Sequence, residues 1–237
     1  MVHNMSNNDL VTRTLLLSKK QLGTLIVSRG VPDGDETRAL NVSNGLSQIR
    51  GFHLGSLAAS DLESYNFNVD GDILGWGLRN SVGVAEHPVT GGIWAVENSM
   101  DDVTRNGKNI HENNPGEELN YLGVLGVDRF GQNFGFPSCF AVWDLDEIPE
   151  NEGLEIGDSF AVDEETRVTD EVCNGGDYVG PRLTMPAHYA PLDIKFGEGG
   201  SVAYVSFHGS CEFFFLFLMV VLGAVVMAPS PFPHVCP

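Results

Sequence analysis

Two polar clusters bracket one predicted β-hairpin and carry groups that can bind an anion or a metal ion. Arg79-Asn80 precedes a short apolar strand, and Glu97-Asn98-Ser99 ends the strand that follows a Pro/Gly turn. A guanidinium and an amide donate hydrogen bonds to carboxylate oxygens, and Ca²⁺ readily takes backbone carbonyl oxygens as ligands. Because antiparallel pairing places the start of the first strand beside the end of the second, both clusters are expected at the same end of the hairpin.

The same arrangement recurs at two other places in the chain. Each unit is a short apolar strand, a turn, and a second strand that ends on polar residues; the three units are residues 13–30, 80–99 and 190–210. Strand pairing predicts that Arg13 lies near Ser28-Arg29 and that His188 lies near His208. Recurring hairpins at long spacing favour a repeat architecture such as a β-propeller, in which all three open ends would converge on one face around a central channel.

Composition favours an all-β chain and excludes one class of partner. The chain has 237 residues with 28 Gly and 12 Pro and a net charge of −19. A turn-rich composition with few helical periods is typical of all-β proteins. Nucleic acid is excluded as a partner because phosphate binding needs a basic face. An anionic cofactor would need a local cation or metal, since the overall field of the protein repels it.

Several motifs in the right order carry a resemblance to a known family. They are RTLLLS (13–18), LIVSRG (25–30), RNSVGVA (79–85), VENS (96–99), NPGEELN (114–120), HYAPLDIKF (188–196) and VSFHGS (205–210). Over roughly residues 4–210 the chain resembles the soluble quinoprotein glucose/sorbosone dehydrogenase family, most closely its fungal pyranose dehydrogenase branch. The resemblance implies a six-bladed β-propeller with pyrroloquinoline quinone (PQQ) and calcium. Residues 1–210 would then be a partial, incomplete propeller, and residues 211–237 a non-homologous apolar tail.

The resemblance also implies a cofactor site and a calcium site at the hairpin ends. The implied PQQ contacts are Arg79, Asn80, His188 and Arg13, and the implied calcium ligands are the backbone carbonyls of Ser99 and Met100. A simpler interpretation stays open for each group. The strand end at Asn98 could be an ordinary polar turn, Arg79 could form an ion pair with the acidic loop 112–118, and His188 and His208 could be structural.

Leu10 stands where the family has its general base. In relatives, the residues before the segment that corresponds to TRTL (12–15) usually include Asp-His, and that histidine takes the sugar hydroxyl proton as hydride passes to the quinone. The pair here is Asp9-Leu10, and a leucine cannot accept a proton. General-base catalysis typically contributes about 10²–10⁴-fold in rate, so no catalytic residue is assigned. Weak or absent turnover is predicted from this replacement and from the missing later blades; the alternative is that the sequence is misread at this position.

The function implied by the resemblance is oxidation of a sugar at its anomeric carbon, with PQQ as hydride acceptor. An external electron acceptor would then reoxidise the reduced PQQ. An alternative of another class is a non-catalytic extracellular propeller that binds a carbohydrate or a protein. Loss of the general base at Leu10 is compatible with that alternative.

The cysteines and the long loops give further expectations. The resemblance implies a Cys139–Cys173 disulfide, and the alternative is two buried free thiols. Residues 31–47 and 100–118 are predicted to be exposed loops, and 144–180 an irregular acidic segment that the disulfide would hold. The carboxylates Glu112, Glu117 and Glu118 are interpreted as part of a solvated loop rather than as a second calcium site.

Both ends of the chain depart from the family pattern. No signal peptide precedes the matched region, although the resemblance implies an extracellular protein. Residues 213–228 form an unbroken apolar run, shorter than the roughly 20 residues that a helical membrane span requires. The preferred interpretation of this run is a truncated or misread gene model; a membrane anchor, and hence membrane contact, or a buried strand or helix are the alternatives.

Overall fold

The computed structural model describes residues 1–5, 12–32, 34–55, 64–162 and 168–209, together with the backbone of 216–221 and 224–226. The strands in chain order are β1 Val2–His3, β2 Leu15–Leu17, β3 Thr24–Arg29, β4 Gln48–His53, β5 Tyr65–Asn66, β6 Asp72–Trp76, β7 Ser81–Glu86, β8 Gly92–Glu97, β9 Thr104–Arg105, β10 Lys108–Asn109, β11 Glu117–Val124, β12 Gln132–Asn133, β13 Cys139–Ala141, β14 Ser159–Ala161, β15 Leu183–Met185, β16 Pro191–Phe196, β17 Val202–Phe207, β18 Leu216–Val221 and β19 Ala224–Val226. One short helix, α1 (Asp170–Cys173), and 3₁₀ turns at Glu36–Leu40, Val42–Asn44 and Leu145–Glu147 complete the described elements. The predicted all-β class is confirmed.

Three larger sheets carry the predicted hairpins. The first sheet has the strand order β12-β6-β4-β3-β2, the second β15-β11-β8-β7 and the third β16-β17-β18-β19. Each predicted unit is an antiparallel pair, with Leu15 opposite Val27, Val84 opposite Ala95, and Ile194 opposite Val205. The predicted hairpins are therefore confirmed. They could be predicted because turn residues and alternating apolar residues specify a hairpin locally.

The second sheet lies between the other two and is buried on both faces. Strand β7 packs against β2 and β3 on one side and against β16 on the other. Ile93 and Ala95 of β8 join a core cluster with Ile26 of the first sheet. Val96 faces the opposite way and joins a second cluster with Val205 of the third sheet. Side chains that alternate along one strand thus serve two different cores, since successive Cβ atoms point to opposite faces of a sheet.

The prediction that residues 100–118 form an exposed loop is wrong in part. Ile110 is buried in a further apolar cluster with Phe136 and Phe160. Glu117 and Glu118 are also buried, because they begin β11 rather than end a loop. Only Glu112 of the three predicted loop carboxylates is exposed.

The disulfide implied by the resemblance is present. It joins Cys139 at the start of β13 to Cys173 at the end of α1, with 34 residues of separation. Arg105 donates two hydrogen bonds to the carboxylate of Asp170 in the same helix. The segment predicted to be irregular is therefore attached to the sheets at two points.

The backbone of the apolar run near the C-terminus extends the third sheet. Strand β18 pairs with β17 along its whole length, from Val202 opposite Val221 to Phe207 opposite Leu216. The rest of residues 210–237 outside β18 and β19 lies beyond the described residues. Within the part of the chain that the structure describes, we find no helix of the length and apolarity needed to cross a bilayer.

Candidate functional site

The open ends of the first and second hairpins lie side by side. The side-chain oxygen of Asn80 accepts hydrogen bonds from the amide nitrogen and the hydroxyl of Thr12. The amide nitrogen of Val31 donates to the carbonyl oxygen of Arg79 at 3.1 Å. Gly30 is required at this junction, because a Cβ there would lie 2.4 Å from the Asn80 side-chain oxygen. Two chain segments far apart in sequence are thus held in direct contact.

The open end of the third hairpin lies against the second. The side-chain nitrogen of Asn98 donates to the carbonyl oxygen of Pro191 at 2.6 Å. One carboxylate, Glu117, accepts from the amide nitrogen of Ser99 at 2.8 Å and from that of Ala190 at 2.9 Å. The convergence of the three hairpin ends that strand pairing predicted is therefore present, with the second hairpin in the middle.

Arg79 connects the start of β7 to the residues that follow β8. Its amide nitrogen donates to Glu97 Oε1 at 2.8 Å. Its guanidinium donates to the carbonyl oxygen of Ser99 at 2.5 Å and lies 3.5 Å from that of Asn98. Two consecutive carbonyl oxygens are thus directed toward one positive charge, which is the ligand arrangement that a hard cation such as Ca²⁺ also accepts.

A group of buried carboxyls lies beneath these backbone groups. Burial raises the pKa of Glu117 to about 7 and that of Glu118 to about 7. Burial, with the neighbouring charge of Glu118, also raises the pKa of Glu97 well above its usual range. Glu97 and Glu118 are direct partners across β8 and β11, and Asn120 Nδ2 lies 2.9 Å from Glu118 and 3.4 Å from Glu97. Two buried carboxyls so placed favour protonation of at least one of them, because like charges in a buried site disfavour double ionisation.

His188 is held at the edge of the same group as a cation. Its Nδ1 lies 3.2 Å from Asp101 Oδ1, and its Nε2 contacts the carbonyl oxygen of His111. The hydrogen bond to Asp101 raises the pKa of His188 to about 9. His188 and Ala190 have φ values of 61° and 46°, a left-handed conformation that is uncommon for residues other than glycine. The turn that presents His188 is therefore strained and depends on its contacts.

The structure brings together most of the residues that the resemblance implied, and their roles stay predictions. Arg79, Asn80, Ser99 and His188 belong to the contact network described above.

The other predicted residues lie around this network. Arg13 is half-buried beside Thr14, whose amide nitrogen donates to the Ser28 hydroxyl. Met100 follows Ser99 and packs its side chain against an apolar cluster. His208 is exposed, and its amide nitrogen donates to the Ala190 carbonyl. Asp9 and Leu10 lie outside the described residues.

Sequence reasoning missed three acidic residues of the site. The sequence predicts an exposed loop for Glu117 and Asp101, and for Glu97 it predicts only a polar strand end. The alternation of apolar residues after Glu117 (EELNYLGV) indicates a strand and was the available signal. Among the described residues, no group of three or more His, Cys, Asp or Glu side chains is placed to hold a metal ion. A metal here would therefore depend on backbone carbonyl oxygens, such as those of Ser99 and Met100 that the resemblance implies.

Comparison with known proteins then decides the family. A family model described as TrAA12-like matches residues 1–213. The chain belongs to this family. It is 50% identical over 214 residues to a pyrroloquinoline quinone-dependent sugar dehydrogenase of Hypocrea jecorina, a match that covers 90% of this chain and 49% of that protein.

Solved structures agree with this assignment. The calcium structure of a Trichoderma reesei family AA12 carbohydrate-active enzyme is 46% identical with a TM-score of 0.85, and the match covers 93% of this chain and 55% of that one. The holo form of the pyranose dehydrogenase PQQ domain of Coprinopsis cinerea is 32% identical with a TM-score of 0.83, and the match again covers 93% and 55%. The family resemblance found in the motifs is confirmed. The chain spans about half the length of these relatives.

Proposed function

We propose that this TrAA12-like chain forms a PQQ and calcium site of the kind used for sugar oxidation. The observation that carries the proposal is the meeting of the Arg79 guanidinium, the Asn98 and Ser99 carbonyl oxygens and the His188 turn at the joined hairpin ends. The H. jecorina relative is named as a PQQ-dependent sugar dehydrogenase, and one solved relative is a calcium structure. The three sheets would be neighbouring blades of an incomplete β-propeller.

The residues fit an anionic cofactor and a cation together. Arg79 and His188 supply positive charge in a chain whose net charge is −19. Arg79 and the amide nitrogen of Asn80 can donate hydrogen bonds to cofactor carboxylate and carbonyl oxygens. The Ser99 and Met100 carbonyl oxygens would ligate Ca²⁺, which prefers oxygen ligands. When bound, PQQ supplies hydride acceptance and calcium supplies Lewis-acid polarisation.

Turnover by this chain is proposed to be weak or absent, because Leu10 cannot hold the proton that leaves the sugar hydroxyl. Positioning by the remaining groups would still allow the cofactor and a sugar to bind. An external electron acceptor would be needed for any repeated cycle.

The experiment that tests the proposal measures cofactor binding and turnover separately. Purified chain is titrated with PQQ, with and without calcium, and binding is followed by the change in the quinone absorption spectrum. Dye reduction is then measured with a panel of aldoses. We expect PQQ binding that requires calcium, and dye reduction far below that of a relative with the family histidine. Absence of PQQ binding in calcium would overturn the cofactor assignment, and rapid dye reduction would overturn the proposed weak turnover.

A second candidate function is carbohydrate or protein binding without redox chemistry, and the residue that favours it is Leu10. It predicts calcium-dependent retention of the chain on immobilised glycans with no PQQ binding. Spectral titration and glycan retention therefore separate the two functions.

A further inference from the structure

We propose that Glu117 is a positioning residue that sets the distance between the Ser99 carbonyl and the His188 turn, and so organises the cation and cofactor groups of the site. This inference rests on the proposed function, because it assigns a role toward the calcium and PQQ that the site would hold. Glu117 itself need not touch either group.

The geometry that carries the inference is one carboxylate that joins two sheets. Glu117 Oε2 accepts from the Ser99 amide nitrogen at 2.8 Å, and Oε1 accepts from the Ala190 amide nitrogen at 2.9 Å. These two donors lie 18 residues before and 73 residues after Glu117 in the chain. Both oxygens of a single side chain are therefore engaged with backbone that flanks candidate site residues.

The position of the Glu117 carboxylate is itself restricted by packing. Glu117 is only 4% exposed, and it pairs with Met185 on the neighbouring strand β15. Gly116 allows this close approach, since a Cβ there would lie 2.3 Å from the Thr184 side chain and 2.9 Å from the Met185 carbonyl oxygen. The start of β11 is thus packed tightly against β15, and the carboxylate has little freedom to move.

The strained turn explains why a firm contact is needed. His188 and Ala190 both adopt positive φ, and such residues persist only where the surrounding structure holds them. His188 is held by Asp101 and the His111 carbonyl. Ala190 is held by Glu117 through its amide nitrogen. Without the Glu117 contact, the turn would relax toward an ordinary conformation and shift the position of His188 relative to Ser99.

The chemistry of the acceptor also matters. Two N–H donors that point at one side chain need two acceptor oxygens, and a carboxylate supplies both. Glutamine has the same shape but supplies one oxygen and turns an NH₂ group toward the second N–H. Aspartate keeps both oxygens but is one methylene shorter, so it cannot reach both donors.

The adjacent residue provides a matched control. Glu118 is as buried as Glu117 and lies in the same strand. Its carboxylate contacts Asn120 rather than the Ser99 or Ala190 amides. Glu118→Gln therefore removes an equally buried carboxyl without removing the two contacts that the inference concerns.

The experiment compares Glu117→Gln, Glu117→Asp and Glu118→Gln in the purified full chain without PQQ. Calcium affinity is measured by calorimetric titration, and exchange of the Ser99 and Ala190 amides is measured by NMR at a temperature where every variant is folded. We expect Glu117→Gln to weaken calcium binding about 10- to 100-fold, as for residues that orient metal ligands, and Glu117→Asp to lie between it and the wild type. The Ala190 amide should exchange about tenfold faster in both Glu117 variants. Glu118→Gln should retain wild-type affinity and exchange.

The outcomes separate this inference from the proposed function. If the wild type binds calcium and Glu117→Gln binds it equally well, the inference is wrong and the proposed site stands. If the wild type does not bind calcium, the proposed calcium site is wrong. Exchange of the Ser99 and Ala190 amides still tests whether Glu117 holds both of them. If Glu117→Gln does not fold, the calcium affinity of Glu117→Asp and the exchange rates of the Ser99 and Ala190 amides in the wild type test the inference instead. If the Ser99 and Ala190 amides of the wild type are not protected from hydrogen exchange, Glu117 does not hold both of them and the inference is wrong.

Discussion

His188 and Asp101, which are 87 residues apart in the chain, contact each other at the joined hairpin ends, with 3.2 Å between Nδ1 and Oδ1. Their pKa values shift in opposite directions for the same reason. The hydrogen bond raises the pKa of His188 to about 9 and lowers the pKa of Asp101. At neutral pH the pair is an imidazolium and a carboxylate. His188 therefore contributes positive charge to the site at a pH where a histidine of ordinary pKa would be mostly neutral.

Asp101→Asn should return the His188 pKa toward its ordinary value of 6.5, because the contact with Asp101 is the largest cause of the shift. NMR titration of the ring protons measures the change directly. Since the pKa is raised in the folded chain, the contact stabilises the fold fully below about pH 6.5, and the stabilisation is lost as pH rises through about 9. The variant should therefore lose stability relative to wild type at pH 6 and differ little at pH 10. Asp102→Asn is the control, and an unchanged His188 titration in Asp101→Asn would contradict the assignment.

Replacing Arg79 should affect cofactor and cation binding in opposite directions. Its guanidinium donates to the Ser99 carbonyl, so Arg79→Met frees a candidate calcium ligand and removes a cofactor contact at once. We expect tighter calcium binding without PQQ and PQQ binding weakened about tenfold or more, the scale for loss of a charge-assisted hydrogen bond. Calorimetry with calcium and spectral titration with PQQ measure the two effects. Arg129→Met, at an exposed site, should change neither; parallel loss of both affinities in Arg79→Met would show general damage instead.

The buried pair Glu97 and Glu118 should make the chain more stable in mild acid than in base. Burial raises the pKa of Glu118 to about 7. A carboxyl whose folded pKa exceeds its ordinary value of 4.5 binds a proton more tightly in the folded chain, so stability falls as pH rises from about 4.5 to about 7. Glu118→Gln removes the contribution of Glu118 to this dependence, so its melting temperature should fall less than that of wild type between pH 5 and pH 8. Glu112→Gln, at an exposed site, should follow the wild type, and an identical pH profile for Glu118→Gln would show that Glu118 does not titrate in this range.

The hairpins could be predicted from sequence, but the buried carboxyls could not. Pairs such as Leu15 with Val27 and Val84 with Ala95 follow from short turns and alternating side chains that are close in sequence. Burial of Glu117 instead depends on Met185 and Ala190, which are distant along the chain. A run of charged and amide residues indicates solvent exposure unless those distant partners are known. The Asp101–His188 contact was missed for the same reason, whereas the meeting of Arg79 with Ser99 followed from pairing within one hairpin.

Removal of the Cys139–Cys173 disulfide should destabilise the chain without removing the site. The bond closes a segment with 34 residues of separation, for which loop-closure entropy gives about 3–4 kcal/mol. In a chain of this size, we expect the double change to serine to lower the melting temperature by about 10 °C. Calorimetry checks this result, and PQQ titration at low temperature should match the wild type because neither cysteine contacts Arg79, Ser99 or His188 in the described contacts. Loss of PQQ binding in the folded variant would show that the disulfide positions the site.

Leu10→His should restore the proton acceptor that the family pattern places at this position. If the remaining groups bind PQQ and a sugar as proposed, a general base should raise the rate of PQQ-dependent dye reduction by about 10²–10⁴-fold. The affinity for PQQ should stay unchanged, because the new imidazole acts on the sugar hydroxyl. Leu15→His is the matched control, since Leu15 is 65% exposed on the neighbouring strand β2 and lies outside the motif position. Equal rates for Leu10→His and the wild type, with PQQ bound in both, would show that loss of the base does not limit the reaction.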